Sequence, residues 1–495
     1  MCLNYFRSEK PESATRGAFS DALDTGLSGS EDEQESVNEY RRGGYHPVLI
    51  GDVFQNRFRV VRKVGWGNFS TVWLCRDLRE EEYVVLKVVK SAPHYTEMAC
   101  DEIRLLETIR DSDPTDEKRE RIVRLLNQFT ARGVNGVHIC LVFEALGCSL
   151  YKLIVKNKYQ GLAVDQVRNI IKQVLEGLDY LHRKCGIIHT DIKPENILLV
   201  IDNAIEMNQQ IDNEVTNLRL KGTSLPDSYI EEAKKGRQCQ DHLVATDATD
   251  ARDNKLNKDD NVNDVKTVVF INSDKIQSSN PDKSDRDLPF RHSGSHTNTN
   301  TTSPKEQTIN SATAPKFSYT DAMQSLINDM GLKVKIADLG NACFESHHFT
   351  EAIQTRQYRS IEVILGNSYS YSADIWSTAC MAFEIATGDY LFDPHACKSC
   401  TKDEHHLALM IQMLGAVPPD LIYRGQHGLN YFSSYDSLRC KTKLKPRSMT
   451  DLLIANYSWQ PDEARKFSEF LLPMLEYDPN ARATAAECLK HPWME

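Results

Sequence analysis

Asp191 and Asn196 stand five positions apart in the run His189-Thr190-Asp191-Ile192-Lys193-Pro194-Glu195-Asn196. A carboxylate in the first place can take the proton of an attacking hydroxyl. A carboxamide oxygen in the second can hold a divalent cation. Lys193, between them, counts with the reacting group. A loop so equipped suits phosphoryl transfer. The spacing alone arises by chance in many chains, so its weight depends on what stands around it.

Four further elements stand in the order that this chemistry requires, three before the loop and one after. The first is Gly65-Trp66-Gly67-Asn68-Phe69-Ser70-Thr71-Val72, after the strand-like Val60-Val61-Arg62-Lys63-Val64. Glycines let a hairpin backbone approach phosphates with no Cβ in the way. By itself this is a weak signal. Lys87, in a β-rich run, can reach the α- and β-phosphates as a point charge. Glu102, in the helical Asp101-Glu102-Ile103-Arg104-Leu105-Leu106, can hold Lys87 in place. Asp338, in Lys335-Ile336-Ala337-Asp338-Leu339-Gly340, closes a strand and can present its carboxylate to magnesium. Val85 would roof an adenine ring, and Phe143 with Glu144, Ala145 and Leu146 would form a gatekeeper and hinge. Together these residues predict the protein-kinase fold, with ATP and Mg2+ as cofactors and Asn196 and Asp338 as the metal ligands.

Such residues need two lobes to position them, and the chain supplies them in pieces. Of 495 residues, 40% are hydrophobic, which is low for a chain packed throughout. Residues 1–44 are polar and charged and read as a disordered tail. Residues 45–146 read as a β-rich N-lobe, with Phe58-Arg59-Val60-Val61 and Tyr83 to Val89 as strands. Residues 147–201 and 330–495 read as a helical C-lobe. Within it Val167, Ile170, Ile171, Val174, Leu175, Leu178 and Leu181 recur at helical steps. Residues 202–329 read as a mainly disordered spacer, in which Val265 to Ile271 is the one strand-like run. The expected class is therefore α+β and bilobal, split by a long insert.

The net charge of −11 argues against generic nucleic-acid binding. No run of about 18 apolar residues suggests a membrane span, and the start lacks the pattern of a secretory signal. The 13 cysteines form no regular framework, so reduced thiols are expected. His395, Cys397, Cys400, His405 and His406 are metal-ligating types in one stretch, but their spacing matches no known finger. Glu362, Arg482 and Asp374 are assigned structural roles: Glu362 with Arg482 as a buried pair, and Asp374 bonded to the catalytic-loop backbone.

Particular stretches resemble the SR-protein kinases. These include Gly43-Gly44-Tyr45-His46, His94-Tyr95-Thr96-Glu97, the His-Thr-Asp loop and Asp338-Leu339-Gly340-Asn341-Ala342-Cys343. Gln354 to Ser360, Thr387 to Phe392 and Ala485 to Trp493 match as well. The resemblance implies a monomeric Ser/Thr kinase for arginine/serine-rich proteins, located in cytoplasm and nucleus. It also implies an insert that binds localisation or chaperone partners. In its terms Asp389 and Asp403 belong to an acidic docking groove, and Arg356, Arg359 and Lys402 to a basic pocket for a phosphorylated serine.

Two departures qualify the expectation. His405 and Gln412 stand where the family usually carries acids, which leaves another basic substrate as an alternative. A pseudokinase scaffold is a further alternative, opposed by the retention of Lys87, Glu102, Asp191, Asn196 and Asp338. Thr190 replaces the arginine that in most kinases pairs with an activation-loop phosphate. Phosphorylation of Ser346, Thr350 or Thr355 then has less to order it, which predicts activity without that modification.

Overall fold

The computed structural model describes residues 35–200, 326–396, 400–433, 437–440 and 445–495. Its first part is a six-stranded antiparallel sheet in the order β1-β2-β3-β4-β6-β5. The strands are β1 (Val53–Phe54), β2 (Phe58–Gly67), β3 (Ser70–Asp77), β4 (Tyr83–Val89), β5 (Leu125–Gly133) and β6 (Gly136–Glu144). Both strand-like runs expected from the sequence lie inside β2 and β4. Phe58, Val60, Trp73, Cys75, Val84, Leu86, Val88, Cys140 and Val142 bury one face of the sheet as a single cluster. Register shifts flank Val61 and Val64 in β2, where the ladder turns toward the glycine hairpin.

Helix α1 (Pro93–Asp111) starts with a proline in its first turn, where no intrahelical donor is lost. Ala99, Ile103 and Leu106 line its buried face, and Glu102 shares that face. A carboxylate at 4% exposure inside an apolar stripe requires a partner, and Lys87 provides it.

The C-lobe is built on α2 (Leu150–Lys156), α3 (Val164–Tyr180), α4 (Ile361–Leu365) and α5 (Ser372–Thr387), followed by α6 (Lys402–Leu414), α7 (Pro419–Arg424) and α8 (Gly428–Tyr431). Beyond them come α9 (Met449–Tyr457), α10 (Pro461–Leu471) and α11 (Ala485–Cys488). The apolar period read from the sequence is the buried face of α3; Leu181, its last member, opens the π turn that follows. Each such side chain contributes about 1.5–3 kcal/mol relative to exposure. All residues of α5 after Ser372 are buried, as befits a helix apolar on every side at the centre of the lobe.

Four short strands hold the reactive loops: β7 (Ile187–Ile188), β8 (Ile197–Val200), β9 (Lys333–Ile336) and β10 (Cys343–Phe344). β7 pairs with β10, and β8 pairs with β9 from Ile197↔Ile336 to Val200↔Lys333. Val200 and Lys333, on either side of the spacer, are therefore neighbours in one ladder.

Two expected boundaries are corrected. The fold begins before residue 45: Val37–Glu39 form a 3-10 turn, and Glu35 is buried. Glu35 pairs with Tyr40 and Lys63, while Lys90 Nζ reaches Glu39 at 2.8 Å. The Gly43 amide donates to the Asn135 carbonyl, and the Ala92 amide to that of Gly43. This segment is polar because its attachments are ion pairs and backbone hydrogen bonds, and composition alone does not reveal them. The spacer also ends earlier than expected. Leu326 and Ile327 pack against the core, and Gln166 donates to the carbonyls of Leu326 and Asp329. Residues 202–325, with the run Val265 to Ile271, lie outside the described residues. Among the described residues no helix is long and apolar enough to cross a membrane.

Deletion of residues 210–325 is expected to leave a cooperative melt, since the β8–β9 ladder closes without them. Shortening the loop about eightfold, three halvings at about 0.6 kcal/mol each, should stabilise by up to about 2 kcal/mol. A thermal melt of the purified deletion variant checks this, and loss of cooperativity would assign the segment to the core.

Candidate active site

The site forms where β4, α1, the loop after β7 and the loop after β9 converge. Lys87 Nζ contacts both carboxylate oxygens of Glu102, at 2.7 and 2.9 Å, and Asp338 Oδ1 at 3.6 Å. Burial works against the Lys87 charge, but Glu102 and Asp338 outweigh it and raise its pKa, so the ammonium persists. Asp338 is half exposed, at 50%, and faces the cleft. A Cβ on Gly340 would stand 3.4 Å from Asp338 and 3.5 Å from Lys87, ordinary van der Waals contact, so Gly340 packs directly against these groups without the space itself demanding glycine.

Asp191 is 8% exposed. Asn196 Nδ2 donates to its carbonyl at 2.8 Å and to Oδ2 at 3.2 Å. Lys193 Nζ lies 2.7 Å from Oδ2. Burial pushes the Asp191 carboxyl up, yet the hydrogen bonds from Lys193 and Thr355 and the Lys193 charge together hold it below its ordinary value. It is ionised at neutral pH and able to accept a proton. The Thr355 hydroxyl donates to Asp191 Oδ1 at 2.7 Å and accepts from Lys193 at 2.9 Å. The sequence presents Thr355 only as a hydroxyl of the activation segment. Its place against the general base, across 164 residues, has no local signal.

Three non-glycine residues around the cleft adopt left-handed backbone: Thr190 at φ 70°, Asp338 at 62° and Gln354 at 68°. Such strain persists only where neighbours over-determine it. Asp374 does so for the loop, accepting from the amides of His189 at 2.8 Å and Thr190 at 2.9 Å, as expected of it. The Gln354 side chain donates to the Ala373 carbonyl and Ser377 Oγ and accepts from the Ser360 amide. The Thr190 hydroxyl donates to the Asn341 carbonyl at 2.9 Å.

Gly65 and Gly67 sit opposite Val72 and Ser70 at the end of the β2–β3 ladder. Neither has positive φ, and an added Cβ on either would meet no protein atom. Their glycine identity therefore serves the open space they face, which fits a phosphate-bearing ligand. Trp66 beside them is exposed, while Tyr45 donates to the Gly67 carbonyl at 2.7 Å from the braced N-terminal segment. Val85 pairs with Phe143 across β4 and β6. Glu144 turns its carboxylate to Lys335, at 2.7 Å, and to the Arg124 amide, so as a hinge residue it offers its backbone. Leu146 packs on the core below. Behind the catalytic groups, Glu102, Asp191, Thr190, Gly340 and Thr355 line a cavity of about 460 Å³.

The residues assigned to substrate recognition are brought together differently from expectation. Arg356 and Asp403, expected in opposite patches, form one ion pair, and the Tyr431 hydroxyl adds a hydrogen bond to Asp403 at 3.1 Å. Arg359 spends its donors on the carbonyls of Ile353 and Gln354, and burial followed by the Arg356 charge lowers its pKa. It therefore shapes the activation segment. Lys402 opens α6 and is exposed. Asp389, also exposed, accepts from the Tyr457 hydroxyl at 3.0 Å. His405 Nδ1 accepts from the His395 amide, and burial, the largest influence, lowers its pKa, so it adds no charge at neutral pH. Among the described residues no three His, Cys, Asp or Glu side chains converge as metal ligands. Cys397 lies outside them.

The sequence matches the protein kinase domain family over residues 58–209 and 323–494, the two blocks that the spacer separates. It is 43% identical to SRSF protein kinase 3 of Homo sapiens, over 95% of this chain and 92% of that one. It is 40% identical to the serine/threonine-protein kinase SRPK of Physarum polycephalum, over 94% and 92%. Protein kinase dsk1 of Schizosaccharomyces pombe is 39% identical, over 93% and 85%.

Proposed function

This chain belongs to the SR-protein kinases, a branch of the protein kinases, and from that premise we propose how its residues serve the transfer of phosphate to serines of arginine/serine-rich proteins. It is a protein serine/threonine kinase, of a family that uses ATP and a divalent metal. The observation that carries the reading is the coexistence of the Lys87–Glu102 pair with an ionised, oriented Asp191.

ATP with Mg2+ supplies the phosphoryl group and screens its charge. The residues that would hold it are Gly65, Gly67, Lys87 and the backbone of the Glu144–Leu146 hinge, with Val72 and Val85 on the adenine. Asp338 and Asn196 would hold Mg2+. Asp191 accepts the proton of the serine hydroxyl, and Lys193 steadies charge beside it. Thr355 keeps the Asp191 carboxylate aimed until the substrate hydroxyl competes for it. The activation segment is anchored by Gln354, Arg359 and Thr190, none of which needs a phosphate. That supports activity without its phosphorylation.

For substrate choice, the exposed Asp389 attracts cationic peptides, with the half-buried Glu404, whose carboxylate also caps α6, adding negative charge and Asp403 joining them when its pair with Arg356 opens. We assign the protein to cytoplasm and nucleus as a monomer, with the insert as the site for localisation or chaperone partners. The test is KM for Arg-Ser against Lys-Ser repeat peptides at two ionic strengths. A lower KM for Arg-Ser, rising with salt because the charges are screened within about 8 Å, is expected. Equal values would remove the guanidinium reading and leave kinase activity standing.

A further inference from the structure

Cys400 and Cys440 meet in the C-lobe, between the start of α6 and the residues after α8. Cys440 Sγ lies 2.6 Å from Cys400 Sγ, across 40 residues of chain. Cys400 directly precedes Thr401, the N-cap of α6, where Thr401 and Glu404 form a reciprocal capping box. Cys440 ends a small turn-back after α8, closed by the Phe432↔Leu438 bridge and by the Arg439 amide donating to the Tyr431 carbonyl at 2.8 Å. Cys400 is thus tied to the cap of α6 and Cys440 to the Arg439–Tyr431 hydrogen bond, and these two elements present the sulfurs to each other.

Buried cysteines usually act as small apolar side chains. Cys75 and Cys140 in the N-lobe fit that description, with no exposure and burial driving their thiols far up. The C-lobe pair differs in position. Each sulfur-bearing residue keeps 7% exposure and adjoins an exposed neighbour, Thr401 or Arg439. The pair lies one residue beneath the surface, and the sulfurs are closer than non-bonded packing requires.

We propose that Cys400 and Cys440 form a reversible disulfide that staples the start of α6 to the turn after α8. Hydrogen peroxide is the oxidant. One thiolate attacks the peroxide oxygen, giving a sulfenic acid and water. The second sulfur displaces hydroxide from the sulfenic sulfur, which leaves with a proton as a second water. Two electrons pass from the two sulfurs to the peroxide, and a dithiol reverses the bond. The staple joins two elements that already share Asp403, which sits in the first turn of α6 and accepts from Tyr431 of α8. Oxidation thus fixes Asp403 on Arg356 and withholds it from a cationic substrate. This consequence for substrate rests on the function proposed above; the bond itself does not.

The experiment treats the full chain with limiting hydrogen peroxide, blocks remaining thiols, and maps disulfides under non-reducing conditions. The exposed Cys100 reports that the reagent reached the protein. A Cys400–Cys440 link, reversed by dithiothreitol and absent from C400A and from C440A but present in C397A, is expected. So is a rise in Tm of at least about 3 °C on oxidation of the wild type, missing in C440A. KM for an Arg-Ser peptide should rise at least twofold on oxidation with kcat held within twofold. A link from Cys400 to Cys397, or oxidation of Cys100 with both buried thiols intact, overturns the proposal. A formed link with unchanged KM overturns the effect on substrate, and a formed link with no kinase activity at all counts against the function and not the bond.

Discussion

Replacing Asp191 by alanine is expected to lower kcat by about 10²–10⁴, the usual worth of a positioned general base, while ATP binding is largely kept. That range corresponds to about 2.7–5.4 kcal/mol of transition-state stabilisation. Asp191 is the carboxylate to which Lys193, Thr355 and Asn196 all donate or pair. Its removal leaves three polar groups without their common acceptor as well as a substrate hydroxyl without a base. Asp338→Ala, by contrast, should weaken metal-dependent nucleotide binding. Single-turnover phosphoryl transfer and nucleotide titration, run on the same preparations, separate these effects. Near wild-type turnover in the Asp191 variant would remove the assignment.

Arg482→Met should cost about 3–5 kcal/mol of folding stability, the largest structural effect expected in the chain. Arg482 and Glu362 are wholly buried and joined by two hydrogen bonds of 2.7 and 2.8 Å. The guanidinium also donates to the carbonyls of Glu476 at 2.8 Å and Ser372 at 2.9 Å, and lies 5.0 Å from the Trp376 ring centre. Truncation leaves a carboxylate and two carbonyls in an apolar interior. Replacing both partners with apolar residues removes the orphaned charge and should cost less than the single change. Urea unfolding followed by fluorescence measures both. A single-variant loss below about 1 kcal/mol would mean that the pair is solvated or dispensable.

What the sequence disclosed was what local windows contain. The α3 face follows from apolar recurrence, and Lys87, Glu102, Asp191, Asn196 and Asp338 follow from chemistry written in short runs. Glu362 and Arg482 came from their runs too, although their meeting spans 120 residues. Attachments made by polar groups at long range stayed hidden. The Gly43 amide donates to the Asn135 carbonyl, and Lys90 reaches Glu39 across 51 residues, so residues 35–44 of the segment that reads as a tail are part of the N-lobe. Arg356 and Asp403 mislead for a related reason. Each carries a full charge on the page, and only their mutual approach reveals that the pair presents little of it. Thr355 bears a hydroxyl suited to modification, while its geometry makes it a support for Asp191.

The pairing of Val200 with Lys333 bears on how such a protein changes over generations. Because the ladder is closed by residues on both sides of the gap, a cooperative melt of the 210–325 deletion variant would mean that what is written there is nearly silent to folding. Selection on catalysis and selection on the intervening residues then act on separate stretches of one gene. A new association can be acquired there without a compensating substitution in the lobes. The same decoupling makes the junction a practical port, where a reporter whose own termini lie close together could be spliced in without retuning the enzyme.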